Sequence, residues 1–301
     1  KYQKSGCIMI KAESGIKRSG RRTFAGKALI YAGLVLFAAW TLLPFLIVVS
    51  TSFKTYEEAI SAEFRLFPRE FSVEGYRILF GAKTGTGKPM ILTGFVNTLL
   101  VAVLPVVVGT LVSAVSAYAF AKLRFPCKNF LFTVLIGTML VPSTLLLIPS
   151  YMIYNRLNWL DTWLPLIVPG TFGGAACVFF LRQFYTGIPN ELLEAAKVDG
   201  VGYFGAFFRI ILPLSKAAVF AQMLIIFIAQ YHDDVGPRTY LLNEEDLFTL
   251  QFLLTRFLNS NWSDYHAIMA SSIVAMLPTM VLYLFTQKYF IEGIASSGLK
   301  D

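Results

Sequence analysis

From Ala28 to Val49 the chain runs without one charged residue. A helix needs about 20 apolar residues to cross the hydrocarbon core of a bilayer, so this run is long enough to span. It is also not alone. Comparable apolar blocks follow at Phe95–Phe120, Phe130–Tyr154, Trp163–Phe184, Ala217–Tyr231 and Ala267–Phe290, with polar breaks between them. The fifth is short unless it borrows Ile210 to Leu214. Only 15% of the residues are charged and 56% are hydrophobic, against about 25% charged in soluble domains. The expected fold is all-α, a polytopic membrane bundle of about six transmembrane helices.

Charge placement orients that bundle. Lys11, Lys17, Arg18, Arg21, Arg22 and Lys27 precede the first block, the bias that keeps a flank in the cytoplasm. The net charge of +8 therefore reads as an orientation signal, and no nucleic-acid partner is expected. The first block exceeds the roughly 7–15 residues of a signal-peptide core, so a retained span is expected. The chain begins at Lys1 rather than Met, and its start is not taken as the native one. Lys122, Arg124 and Lys128 fall between blocks two and three, and Arg182, Lys197, Arg209 and Lys216 between four and five. Both loops and both termini are thus expected in the cytoplasm, as an arm at 1–27, a core at 28–290 and a tail at 291–301. The loops 51–94 and 232–266 are expected outside.

Prolines within or beside the blocks, Pro44, Pro105, Pro142, Pro149, Pro165, Pro169 and Pro278, free backbone groups that only neighbouring helices or a cavity can satisfy in lipid. An irregular, transport-like interior follows more readily than a simple anchor.

One segment is too charged for a span: Ile188 to Pro213, within a cytoplasmic loop at 185–216. Asn190 can cap a helix whose first turn carries Glu191 and Glu194, where the dipole favours acids. Leu192, Ala195 and Ala196 fall at i, i+3 and i+4 and should share a face shaped for close approach. Asp199, Gly200 and Gly202 close the helix, since glycine accepts the left-handed turn. A second amphipathic helix is expected over 203–211, with Phe204, Phe207 and Phe208 on one side and Pro213 at its end.

The order Glu194-Ala195-Ala196, Asp199-Gly200, Ile211-x-Pro213 resembles the EAA loop of bacterial ABC importer permeases. Ile188-Pro189-x-Glu191-Leu192 resembles its carbohydrate-uptake branch, with Val201-Gly202 a mild departure. The Ser50–Lys54 run and the closing Gln287–Gly293 run are similar to the second permease subunit of maltose-type importers. The resemblance implies the type I ABC permease fold and a bacterial inner-membrane location. It further implies a second homologous permease, an ABC ATPase dimer that binds ATP and Mg, and an extracytoplasmic solute-binding protein. Glu191, Glu194, Ala195, Ala196, Asp199, Gly200 and Pro213 would then form the coupling site on the ATPase. The cargo would be a sugar or oligosaccharide, maltose-like by default and extending to acidic ones such as alginate.

Other signals are weaker. GAKTGTGKP, from Gly81 to Pro89, mimics a phosphate loop but has five residues between Gly81 and Gly87 where four are needed, and Pro89 replaces the hydroxyl. No ATP site is expected in this chain. His232-Asp233-Asp234 with His266 lacks metal-ligand spacing, and Cys7, Cys127 and Cys177 are too scattered for a zinc site or disulfide framework. No nucleophile elbow or His-Glu-x-x-His motif occurs, so a non-catalytic subunit without a cofactor is expected. Gln222 is the clearest polar residue inside a span and the candidate for a sugar pathway. The competing classes are an integral membrane enzyme of lipid or glycan metabolism, which would need polar catalytic clusters, and a secondary transporter, which would need ionisable residues within spans.

Overall fold

The computed structural model describes residues 20–261 and 263–298, with side chains over 26–261 and 263–287. Lys11, Lys17 and Arg18 of the expected arm, Cys7, and the side chains of Lys288–Gly293 lie outside what it describes. The chain divides into two units, Lys1–Ile47 and Val48–Asp301. The first is the greater part of α1 (Gly20–Ser52), which carries Pro44 inside it. One turn before that proline, Thr41 Oγ1 bonds back to the carbonyls of Phe37 and Ala38.

The described residues of the second unit are helices joined by turns and loops, with one isolated bridge between Lys83 and Pro89. After α2 (Tyr56–Ile60) and α3 (Glu74–Gly81), the next span joins α4 (Met90–Leu104) and α5 (Thr110–Lys122) through a π-helical turn at Pro105–Gly109. It begins at Met90 rather than Phe95, because Pro89 at its start has no N–H to leave orphaned. The third block is not one rod. α6 (Lys128–Thr138) and the following Ser143–Leu146 turn with α7 (Leu147–Arg156) are bent by 87°. Three successive i→i−3 bonds at Met139, Leu140 and Val141 tighten the chain, and Pro142 then adopts extended geometry.

α8 (Leu164–Thr171) and α9 (Ala175–Thr186) form one crossing of 23 residues. After α10 (Glu191–Val198) come α11 (Tyr203–Ala206), a second π turn at Phe207–Ile211 and α12 (Leu212–Leu214). The fifth block, α13 (Lys216–Tyr231), is short alone; taken with Tyr203–Leu214, bent from it by 80°, it is long and apolar enough to cross. Its 16 residues reach about 24 Å. Then follow α14 (Val235–Tyr240), α15 (Leu250–Ser260) and α16 (Tyr265–Gly298). The backbone of α16 runs through the start of the expected tail.

Two cores result. One gathers Leu79, Met90, Tyr231, Phe248 and Leu253 at the end bearing the long loops. The other gathers Ala117, Leu181, Tyr185, Phe207 and Ile211 at the opposite end. Between them, α5 lies on α9 and α8 lies on the Pro105–Gly109 turn. Small residues permit this approach. A Cβ on Gly109 would collide with the Gly170 carbonyl oxygen, and one on Gly170 would stand 2.7 Å from Pro105 Cβ. Gly173, at φ +87°, lies against Ser113, whose hydroxyl accepts from the Gly174 N–H at 3.0 Å.

The long loops interlock. Asn97 Nδ2 donates to the Asp246 and Phe248 carbonyls at 2.7 and 2.9 Å, and Trp163 Nε1 to the Leu247 carbonyl. The phosphate-loop lookalike proves to be a hairpin that grips carboxylates of this chain. The Gly85 N–H donates to Glu245, while the Thr86 hydroxyl and the Lys88 ammonium donate to Asp246. Asp161 accepts from the N–H groups of Leu242 and Asn243 and from the Asn243 amide. Burial pushes its carboxyl upward, but these bonds outweigh it and hold the pKa below the usual aspartate range.

Two outcomes follow. Gly109→Ala should destabilise the purified protein by about 1–3 kcal/mol through overpacking. Gly137→Ala, with open space around it, should be neutral or slightly stabilising; thermal unfolding in detergent compares them. The Asp161 contribution is present above the ordinary carboxylate pKa and lost as pH falls below about 4. Hydrogen exchange at 242–243, corrected for intrinsic rates, should show that step, and Asp161→Asn should lower protection at neutral pH and flatten it.

Candidate functional site

The charged segment emerges at the end of the bundle where Lys122 closes α5. α10 forms there as the sequence implies, but its start differs. Asn190 is helical at φ −74° and ψ −24°, and its side chain makes no capping bond. Instead Asn190 Oδ1 accepts from Lys122 Nζ at 2.8 Å, and the same ammonium donates to the Ile188 carbonyl at 2.5 Å. Lys122 thereby pegs the entrance of the segment to the second span. Its charge served only as an orientation signal in the sequence. The contact is not readable there, because 66 residues separate it from Ile188.

The helix ends in a Schellman turn. Gly200 sits at φ +76°, and the Val201 and Gly200 N–H groups bond to the Ala196 and Lys197 carbonyls at 2.9 and 3.1 Å. Gly202 plays no such part. It is extended at φ −69° and ψ 170°, and its carbonyl accepts the first bond of α11 from Ala206.

The expected apolar face is split. Ala196 is only 5% exposed, turned into the chain, and half-buried Leu193 packs on the second core. Leu192 and Ala195 face outward with Val198, which is 87% exposed. Glu191, Glu194, Asp199 and Gly200 are exposed as well. The outward surface is thus a narrow apolar stripe at positions 192, 195 and 198, edged by Glu191 and Glu194 in the first turn. Val198 went unremarked in the sequence, although its i+3 spacing from Ala195 marks it.

The second helix also departs from expectation. Phe207 is 1% exposed at the heart of the core, whereas Phe204, at 71%, and Phe208 point away. The three aromatic rings do not share a side, because the π turn at Phe207–Ile211 shifts the helical register. That turn lies just before Pro213, which cannot donate to a preceding carbonyl and whose ring would crowd an ordinary helix. Pro213 is exposed within α12, and Ser215, whose hydroxyl bonds to the Ile211 carbonyl, marks the corner into α13.

Gln222 is 7% exposed inside the chain's own helices and is absent from the linings of the cavity at Arg124–Phe130 and of the one between Val106, Phe220 and Leu282. Asp233 Oδ1 accepts from the Val235 and Gly236 N–H groups, so it starts α14. His266 is buried where α16 begins, edge-on to Tyr56. Among the described residues no group of three or more His, Cys, Asp or Glu side chains could hold a metal.

The arrangement is a short helix with one face rooted in the core and the other bare. Comparison with known proteins gives it a context. Residues 109–295 match the family model described as binding-protein-dependent transport system inner membrane component. The chain is 28% identical to the arabinooligosaccharides transport system permease protein AraQ of Halalkalibacterium halodurans, over 90% of this chain and 96% of that one. It is 30% identical to the polygalacturonan/rhamnogalacturonan transport system permease protein YtcP of Bacillus subtilis, over 90% and 97%. Its fold is similar to a chain of a bacterial ABC transporter involved in import of the acidic polysaccharide alginate, with TM-score 0.73, 21% identity, and 92% and 99% of the two chains covered.

Replacing Gly200 tests the turn. Gly200→Val should cost about 1–3 kcal/mol for a left-handed β-branched residue, seen as faster amide exchange across 196–201 while the spans keep their protection.

Proposed function

The chain belongs to the family of binding-protein-dependent transport system inner membrane components, a multi-pass membrane family, and from that membership we propose that it is a permease subunit of an ATP-driven oligosaccharide importer. The observation that carries the mechanism is the bare stripe at Leu192, Ala195 and Val198 on a helix whose opposite face is buried. An ABC ATPase accepts that stripe in a cleft, with Glu191 and Glu194 meeting its basic groups. Asp199, Gly200 and Pro213 set the shape that offers it. ATP and Mg stay with the ATPase dimer, and this chain does no chemistry. When the ATPase closes, the force enters through Ala196 and Phe207 into the second core, and α9 and α13 move together.

A second homologous permease completes the pathway. The end bearing the docking segment, with Lys122, Arg124, Lys128 and Arg182 near it, faces the cytoplasm together with both termini. The interlocked loops at the other end meet the solute-binding protein. The cargo is an oligosaccharide. The names of the relatives span neutral and acidic glycans, and uronate oligomers fall within the proposed range. Gln222 can meet a sugar hydroxyl only when α13 shifts against its neighbours.

Glu194→Lys combined with Ala195→Trp should weaken ATPase association by about 2 kcal/mol or more, roughly thirtyfold, and abolish uptake. Both side chains are exposed, so thermal stability should hold. ATPase co-purification and uptake at wild-type levels in the double variant would overturn the docking assignment.

A further inference from the structure

A cavity of about 390 Å³ opens between α5 and α6, lined by Arg124, Phe125, Cys127, Lys128, Asn129 and Phe130. It lies at the same end of the bundle as Lys122, between the ends of two candidate spans. Lys122 itself is committed to Ile188 and Asn190 and does not line it. The positive charge here is concentrated. Arg182 and Arg124 both lie close enough to Lys128 to interact electrostatically, and residues 121–130 contain no acid. Among the described residues neither Arg124 nor Lys128 pairs with a carboxylate. Lys128 spends one donor on the Leu123 carbonyl at 2.9 Å, which leaves two free.

Arg182 is held in place rather than waving in solvent. Its guanidinium carbon stands 3.9 Å from the Phe132 ring centroid, and its Nε donates to the Phe120 carbonyl. Arg182 is thus a fixed positive charge acting on Lys128 at the edge of a cationic hollow. Beside that hollow Phe130 is exposed on a span, where hydrocarbon is its natural contact.

We propose that this cavity holds the phosphodiester headgroup of an anionic phospholipid, with Arg124 and Lys128 on its oxygens and an acyl chain along Phe130. The charge calls for an anion, and the exposed aromatic beside it calls for a ligand with a tail. Basic pockets between membrane helices bind acidic lipid headgroups by this chemistry, at about fivefold in affinity per cation near the surface. The assignment depends on the chain spanning a bilayer and not on the transported cargo, so it survives a change in the proposed function.

The test is native mass spectrometry of the full-length protein, purified with whatever subunits accompany it and titrated with phosphatidylglycerol or phosphatidylcholine. Phosphatidylglycerol adducts should persist at collision energies that strip phosphatidylcholine. Arg124→Ala with Lys128→Ala should weaken the tight adduct roughly 25-fold. Arg124→Lys with Lys128→Arg should retain it, which separates lost charge from lost fold. Neutralising Arg77 and Lys83 in the outer loops should change nothing. If the wild type shows no preference between the lipids, or if the alanine pair binds as well, the cations serve orientation alone and the proposal fails. If millimolar inorganic phosphate displaces the lipid completely, the site is one for free phosphate, and the proposal fails in that direction.

Discussion

A backbone amide that leaves the helical ladder inside a bilayer has no water to turn to, and most of this architecture answers that constraint. The second span is broken at Pro105–Gly109, and the fourth is broken between Thr171 and Ala175. Each break covers the other. Gly109, Gly170 and Gly173 let the two backbones approach until side chains would collide, and Ser113 takes up the Gly174 N–H left over by the gap. The prolines are therefore local weak points matched by glycines in a different span. Replacing either member alone leaves the other with either a void or a clash.

Much of this was legible in the sequence. Runs such as Ala28–Val49 need only length and the absence of charge to be recognised, and the glycine at 200 announces its left-handed turn. What hydropathy cannot register is direction. Apolar residues on both sides of Pro142 look like one block, yet the chain turns by 87° there. Likewise Ala195 and Ala196 are interchangeable on a helical wheel drawn in isolation. Only the core beneath, built from Leu181, Tyr185 and Phe207, decides which of the two is covered. Lys122 and Asn190 were invisible as partners for the same reason: their contact is a product of packing between distant segments.

The hairpin at Gly81–Pro89 shows a different situation: its spacing rules out a phosphate loop, and its anion-gripping use went unread. Glycine N–H groups, threonine hydroxyls and a lysine do form an anion-gripping loop. The anions are Glu245 and Asp246, contributed by the chain itself about 160 residues later. Lys88 holds the Asp246 carboxyl below its ordinary range, and Glu245 is shared with Arg256. The motif thus works as an internal clasp that ties the first long loop to the second.

The lysine that closes α5 has a mechanical consequence. Phe207 and Ile211 already pack the segment from Ile188 to Leu214 against α5 in the second core, and the lysine adds a polar tie at its entrance. With it, a displacement of that segment must also drag the far end of a third helix, one that is itself locked by glycine contacts to the middle of the bundle. A lever fastened at three points cannot simply bend. A load placed on it would therefore reach the spans it is tied to rather than being absorbed locally.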